Sequence, residues 1–147
     1  MSAFFMETTR INPDRTVSEI QSILAANGSE GIVLEYKNKQ VEAVSFRVPI
    51  NGQLIAFRLP CKWEKLQQAL KKKGARCKSD DTYEMFSRRV AWRQILRWIE
   101  AQMALIQTDM VTIDEVFLPY AQNSEGETVY DTIKKVGFNG LMLENRS

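Results

Sequence analysis

The alternation of apolar and polar positions divides the chain into a strand-rich first part and a helical second part. Residues 31–36 read GIVLEY. Residues 40–49 set Val41, Ala43, Ser45 and Arg47 against Glu42, Val44, Phe46 and Val48. Residues 53–59 set Leu54, Ala56 and Arg58 against Ile55, Phe57 and Leu59. A period of two is the mark of a strand with one face turned to a core. Asn51-Gly52, between the last two runs, is the pair a type I′ hairpin prefers. The pattern predicts an antiparallel β-meander packed on one face by amphipathic helices. Residues 4–11 mix aromatic and β-branched side chains and predict an additional strand.

Helical spacing accounts for most of the rest. Val17, Ile20, Ile23 and Leu24 share a face behind Thr16 and Glu19, which fit a capping box, and Asn27-Gly28 fits a left-handed stop. Residues 61–73 place Trp63, Leu66 and Leu70 on one side and end on Lys71, Lys72 and Lys73, where cations complement the helix dipole. A long helix is predicted over residues 80–108, with Asp80 and Asp81 in its first turn. Met85, Trp92, Ile95, Leu96, Ile99, Met103 and Ile106 form its apolar face. Thr112 and Glu115 fit a second capping box, opening a short helix that Pro119 closes. Residues 128–136 predict a last helix and residues 137–143 a last extended segment. The expectation is one α+β domain. Residues 1–60 are mainly strands with one helix, 61–120 are helical, and 121–147 form a C-terminal helix and extended tail.

Composition narrows the chemistry. The 147 residues suffice for one ordinary core. Histidine is absent, which removes the usual general base near neutral pH and the Ser-His and Cys-His nucleophiles. Two cysteines without histidine cannot complete a four-ligand zinc site from soft donors. Cys61 and Cys77 lie outside any CxxC motif; a disulfide between them is compatible with their spacing, and two free thiols of a reducing cytoplasm are the favoured reading. No glycine pattern matches a dinucleotide or phosphate loop, no apolar run reaches membrane length, and the N-terminus lacks the features of a signal peptide. No cofactor or metal is expected. Asp80, Asp81 and Glu84 could hold a divalent cation, but complementing a helix N-terminus explains them better.

The net charge of +2 conceals an asymmetry. Residues 61–100 carry eleven basic and five acidic groups, whereas residues 101–147 carry three basic and seven acidic. Anionic partners are therefore to be sought on the middle segment. There Arg89, Arg93 and Arg97 stand four residues apart on one ridge of the long helix, with Arg88 nearer the apolar face. Guanidiniums in this arrangement suit phosphate oxygens, and they equally suit a solvated helix face that Glu100 partly neutralises. Trp92 reads as core. Trp98 lies on a second apolar strip, to be covered by the C-terminal segment or another subunit, or used to stack a base. Lys62, Lys65, Lys71, Lys72, Lys73, Arg76 and Lys78 form a basic stretch that could run along a nucleic-acid backbone or be plain solvated surface.

Residues 89–120, RVAWRQILRWIEAQMALIQTDMVTIDEVFLPY, together with TVSEIQSILAANG and the FRLP ending the third strand run, resemble a family of short proteins carried by bacteriophages and prophages. The resemblance implies a host-cell cytoplasmic location. It also implies one of two roles, handling nucleic acid or blunting host immunity. Three readings are compatible with it. The first is a non-enzymatic, oligomeric sponge that sequesters a nucleotide-type signal. It would use Arg88, Arg89, Arg93 and Arg97 for phosphate and Trp98 for the base, so that Arg93→Glu would abolish binding and leave the fold intact. The second is a nucleic-acid-binding replication accessory. The third is an inhibitor of a host protein. A Mg²⁺-carboxylate enzyme comes last.

Overall fold

A computed structural model describes residues 2–141. Helix α1 (Pro13–Ala26) leads into strands β1 (Gly31–Lys37), β2 (Gln40–Ile50) and β3 (Gln53–Pro60). Helices α2 (Trp63–Lys72), α3 (Tyr83–Gln107), α4 (Ile113–Phe117) and α5 (Val129–Val136) come next, with short 3-10 turns at Leu118–Tyr120 and Asn139–Leu141. The sheet is antiparallel in the order β1-β2-β3. The expected α+β meander packed on one face is thus the observed fold.

Both connections are tight hairpins. Asn51 and Gly52 have positive φ, as a type I′ turn requires, and so do Asn38 and Lys39 between β1 and β2. Phe46 pairs with Ile32 on one side and Phe57 on the other, and Val44 with Leu34 and Leu59. These residues form the inner face. They meet Val17, Ile20 and Leu24 of α1 and Trp92, Leu96, Ile99 and Met103 of α3 in the main core. Phe46 lies 5.3 Å from both Phe57 and Phe117, stacked on the first and edge-on to the second. A smaller cluster of Leu70, Ala75, Phe86 and Val90 joins α2 to α3, with Phe4 and Met6 packed against it.

Several boundaries differ from those the sequence predicts. Residues 4–11 form no strand. They run as a turn-containing strap in which Met6 takes a positive φ. The strap is tied down by the Lys73–Glu7 ion pair, the Lys73 ammonium over the Phe4 ring, and Gln94 Nε2 donating to the Phe5 carbonyl. Thr16 and Glu19 do not cap α1. Asn12 caps it, its side chain accepting from Asp14 N at 2.9 Å, because Pro13 pre-sets φ for the first helical position one turn earlier. Thr16 is left inside the helix and fully buried against α3. Helix α3 starts at Tyr83 behind Thr82, whose hydroxyl accepts from Met85 N, so Asp80 and Asp81 precede it. The Thr112–Glu115 capping box is present as expected. Residues 139–141 form a 3-10 turn rather than extended chain, and residues 142 and 143 lie outside the described residues.

The sheet has one irregularity, and it bears on the arginines of α3. Glu35 pairs with Ala43 and Tyr36 with Val41, so Glu42 is an extra residue on β2. Such a bulge re-aims a side chain. Here the Glu42 carboxylate meets Trp63 and Arg88.

Candidate functional site

The arginine ridge of α3 is not a solvated face. Arg88, Arg89 and Arg93 are all buried. A buried guanidinium must be paired, and each has found a carboxylate from a different part of the chain. Arg88 Nη2 donates to Glu42 Oε1 at 3.0 Å and Nε to Glu84 Oε2 at 3.1 Å, with its guanidinium 4.3 Å from the centre of the Trp63 ring. Arg89 grips Asp81 bidentately, at 3.1 and 2.6 Å. Arg93 Nη1 donates to Glu19 Oε2 at 2.8 Å and to the Thr16 hydroxyl at 3.3 Å. Arg97, 41% exposed, pairs with Glu100 on the surface. No two of the four arginines share an acceptor.

Trp98 is half-buried. It packs edge-on to Phe117 at 5.3 Å and to Tyr120 at 5.8 Å, so residues 113–120 of the same chain cover its strip. It lines a hollow of about 250 Å³ with Leu59, Pro60, Gln94, Ile95 and Tyr120. Trp98 stands nine residues beyond Arg89 on one helix, roughly 13 Å along the axis and half a turn round it. One small ligand cannot use both.

Arg89 does line a different cavity. The strap contributes Glu7, Thr8, Thr9 and Arg10, the loop between α2 and α3 contributes Arg76, Lys78 and Asp81, and α3 contributes Phe86 and Arg89. The recess holds about 230 Å³. Its walls carry four cations and two carboxylates, and Glu7 is already neutralised by Lys73. The remainder is four cations against Asp81 alone. Asp81 is committed to Arg89, with Arg10 at 3.7 Å. Arg76 and Lys78 are exposed and form no ion pair among the described residues. Arg89 Nε is buried without a hydrogen-bond partner among them. Hydrogen bonding to Arg89 holds the Asp81 carboxyl below its usual range, and hydrogen bonding to Lys73 does the same for Glu7. Both carboxyls are therefore ionised throughout the neutral range, and the recess stays net positive.

The recess is too small for a whole nucleotide and large enough for a phosphate group. Arg76 and Lys78 also border a more open hollow of about 930 Å³ with Cys77, Ser79 and Asp80, which leaves room beyond for the rest of a ligand. Arg76 and Lys78 belong to the basic stretch visible in the sequence. Arg10, Thr8 and Thr9 carry no such signal, because their strap has no period.

An apolar hollow of about 460 Å³ lies between β3 and α5, lined by Ile50, Ile55, Phe57, Leu118, Val129 and Ile133 among others. It lacks converging charged donors. Among the described residues no group of three or more His, Cys, Asp or Glu is placed to hold a metal ion, and no helix is long and apolar enough to cross a membrane. Asp81 and Glu84, two of the three carboxylates that could have held a cation, instead serve Arg89 and Arg88. The chain matches no family model, no curated protein and no solved structure.

Proposed function

We propose that this protein is a non-enzymatic binder of a phosphate-bearing, nucleotide-type small molecule, held by the recess between the N-terminal strap and the start of α3. The observation that carries the reading is the charge of that recess: Arg10, Arg76, Lys78 and Arg89 against an Asp81 already engaged. Guanidiniums and ammoniums of this kind grip phosphate oxygens through charge-assisted hydrogen bonds. The Thr8 and Thr9 hydroxyls add neutral donors. Binding of this type needs no acid–base group, in keeping with a chain that has no histidine. The phage-like character of residues 89–120 suggests the purpose, removal of a nucleotide-derived immune signal.

The phosphate contacts in this reading move from the ridge to the recess. Arg89 remains, and Arg88, Arg93, Arg97 and Trp98 become structural.

The test is a thermal-shift panel on the full chain. It should include inorganic phosphate and pyrophosphate, mononucleotides, cyclic dinucleotides, cyclic ADP-ribose forms, and short DNA and RNA strands. A ligand at about a hundred times its Kd stabilises by about 2.7 kcal/mol. The expected result is a saturable shift with one small phosphate-bearing molecule, lost in Arg76→Glu and Lys78→Glu while the ligand-free midpoint is unchanged. A shift unaltered in both variants would place the ligand elsewhere, and no shift with any small anion would remove the reading.

A second reading, nucleic-acid binding, is favoured by one observation. Lys62, Lys65, Lys71, Lys72, Arg76 and Lys78 all reach the surface along one stretch. It would show as a shift with oligonucleotides alone, shrinking steeply as salt rises.

A further inference from the structure

The two edges of the sheet are treated differently. At the β3 edge the chain returns on itself. Gln122 N donates to the Ala56 carbonyl at 2.8 Å, and Ala121 bridges Phe57, so part of that edge is already paired. At the β1 edge no strand or bridge among the described residues pairs the outward side of Gly31–Lys37. Exposed edges are usually blunted by proline, by charged side chains, by a bulge in the edge strand or by short length. β1 has seven residues and no proline, and of its two charged residues Glu35 is paired with Arg58 within the chain, which leaves Lys37 at the end of the strand. The bulge beside it puts its extra residue on β2, so the alternation of β1 is unbroken. Val33 and Tyr36 on this strand are 55% and 62% exposed.

We propose that β1 is a self-association edge, pairing antiparallel with β1 of a second copy about a two-fold axis at Leu34 to give a continuous six-stranded sheet. The occupant is argued from the strand itself. In an antiparallel self-pairing centred on Leu34, Leu34 faces its own copy and Ile32 faces Tyr36, all on the inner side. On the outer side Val33 faces Glu35, and Gly31 faces Lys37. On the inner side apolar side chains meet one another, on the outer side Val33 stands opposite Glu35, and nowhere do like charges stand opposite one another, which avoids unfavourable cross-strand pairs. Moving the centre to Glu35 would set two carboxylates face to face. Glu35 is moreover neutralised within its own chain by Arg58 Nε at 2.7 Å. A two-fold interface of this kind uses one patch twice, and a one-residue slip is excluded because it would turn every inward side chain outward.

The experiment is sedimentation velocity on the full chain over a concentration series, with two substitutions at the exposed Val33. The native chain should show a concentration-dependent dimer. Val33→Glu sets a carboxylate opposite Glu35 of the second copy and should lower the dimer fraction at least several-fold. Val33→Lys sets an ammonium there and should keep or raise it. Circular dichroism should show the same helix and strand content in all three. A native chain that stays monomeric at every concentration would overturn the proposal. So would Glu and Lys variants that dimerise equally, since the contact would then lie on another surface.

Discussion

Arg88 and Glu42 are 46 positions apart in the chain, and their side chains meet at 3.0 Å where β2 bulges beside β1. The same carboxylate accepts from Trp63 Nε1 at 3.1 Å. One acidic side chain thus ties the sheet to two helices. Without Glu42 the buried Arg88 keeps only the half-exposed Glu84 as a carboxylate partner, and breaking a buried pair in this way costs up to about 3 kcal/mol. Glu42→Ala should therefore lower the unfolding free energy by up to that amount, seen as a lower urea midpoint with little change in the slope of the transition. Replacing both partners, Glu42→Leu with Arg88→Met, should recover a large part of the loss, because no charge is then stranded. A double variant as unstable as the single one would show that the pair contributes more than it costs to desolvate.

Arg93 changes role between sequence and structure. On the sequence its ridge position makes Arg93→Glu a clean binding variant. In the structure Arg93 is buried between Glu19 and Thr16, so that substitution sets two carboxylates together and should cost more than about 3 kcal/mol. Arg93→Met keeps the stem and removes the charge. It should stay folded with anion binding unaltered, as circular dichroism and the thermal-shift panel would show. A folded Arg93→Met chain that no longer binds would return the ridge to the site.

These arginines also mark the limit of what a sequence pattern can report. The hairpins, the Thr112–Glu115 box and the extent of α3 to within a few residues were legible because caps, turns and periods are local. A helical period reports which face a residue occupies, but not what stands opposite. Glu19 and Glu42 come from α1 and β2, 74 and 46 positions away from the arginines they serve; Glu42 stands out as a charge in the apolar row of Val44, Phe46 and Val48, but the row does not say which cation meets it. The strap failed for another reason. Phe4, Phe5 and Ile11 have strand propensity, but the segment is held by Phe4 and Met6 packing on the α2–α3 cluster and by Gln94 at the Phe5 carbonyl rather than by a neighbouring strand, and tertiary packing overrides propensity. Half of the recess was therefore invisible, since Thr8, Thr9 and Arg10 ride on that strap.

The two thiols should react very differently. Cys61 is buried, and desolvation, reinforced by the nearby Glu42 carboxylate, pushes its thiol up to about 12. Cys77 is half-exposed, and neither cysteine is in a disulfide. The thiolate is the reactive form. A disulfide-exchange reagent at neutral pH should label one thiol per folded chain and both after denaturation, read as mass added to the intact protein. Fast labelling of both in the native state would mean that the region around Cys61 opens readily.

Asp81 links stability to the proposed site with opposite signs. Its pairing with Arg89 holds its carboxyl below the usual range. A group whose folded value is depressed stabilises fully above its unfolded value and loses that contribution as pH falls through the folded one. With no histidine in the chain, no side chain of ordinary pKa titrates between about pH 5 and 8. The thermal midpoint should therefore be flat across that range and fall below about pH 4. Asp81→Asn removes the ionised partner of Arg89, so it should lower the midpoint at neutral pH and flatten the acid limb. The same substitution adds one unit of positive charge to the recess, so it should tighten binding of a phosphate-bearing ligand at neutral pH. A less stable protein that binds more strongly is the signature expected of this residue. Weaker binding in a folded Asp81→Asn chain would mean that Asp81 positions the arginines rather than opposing the ligand.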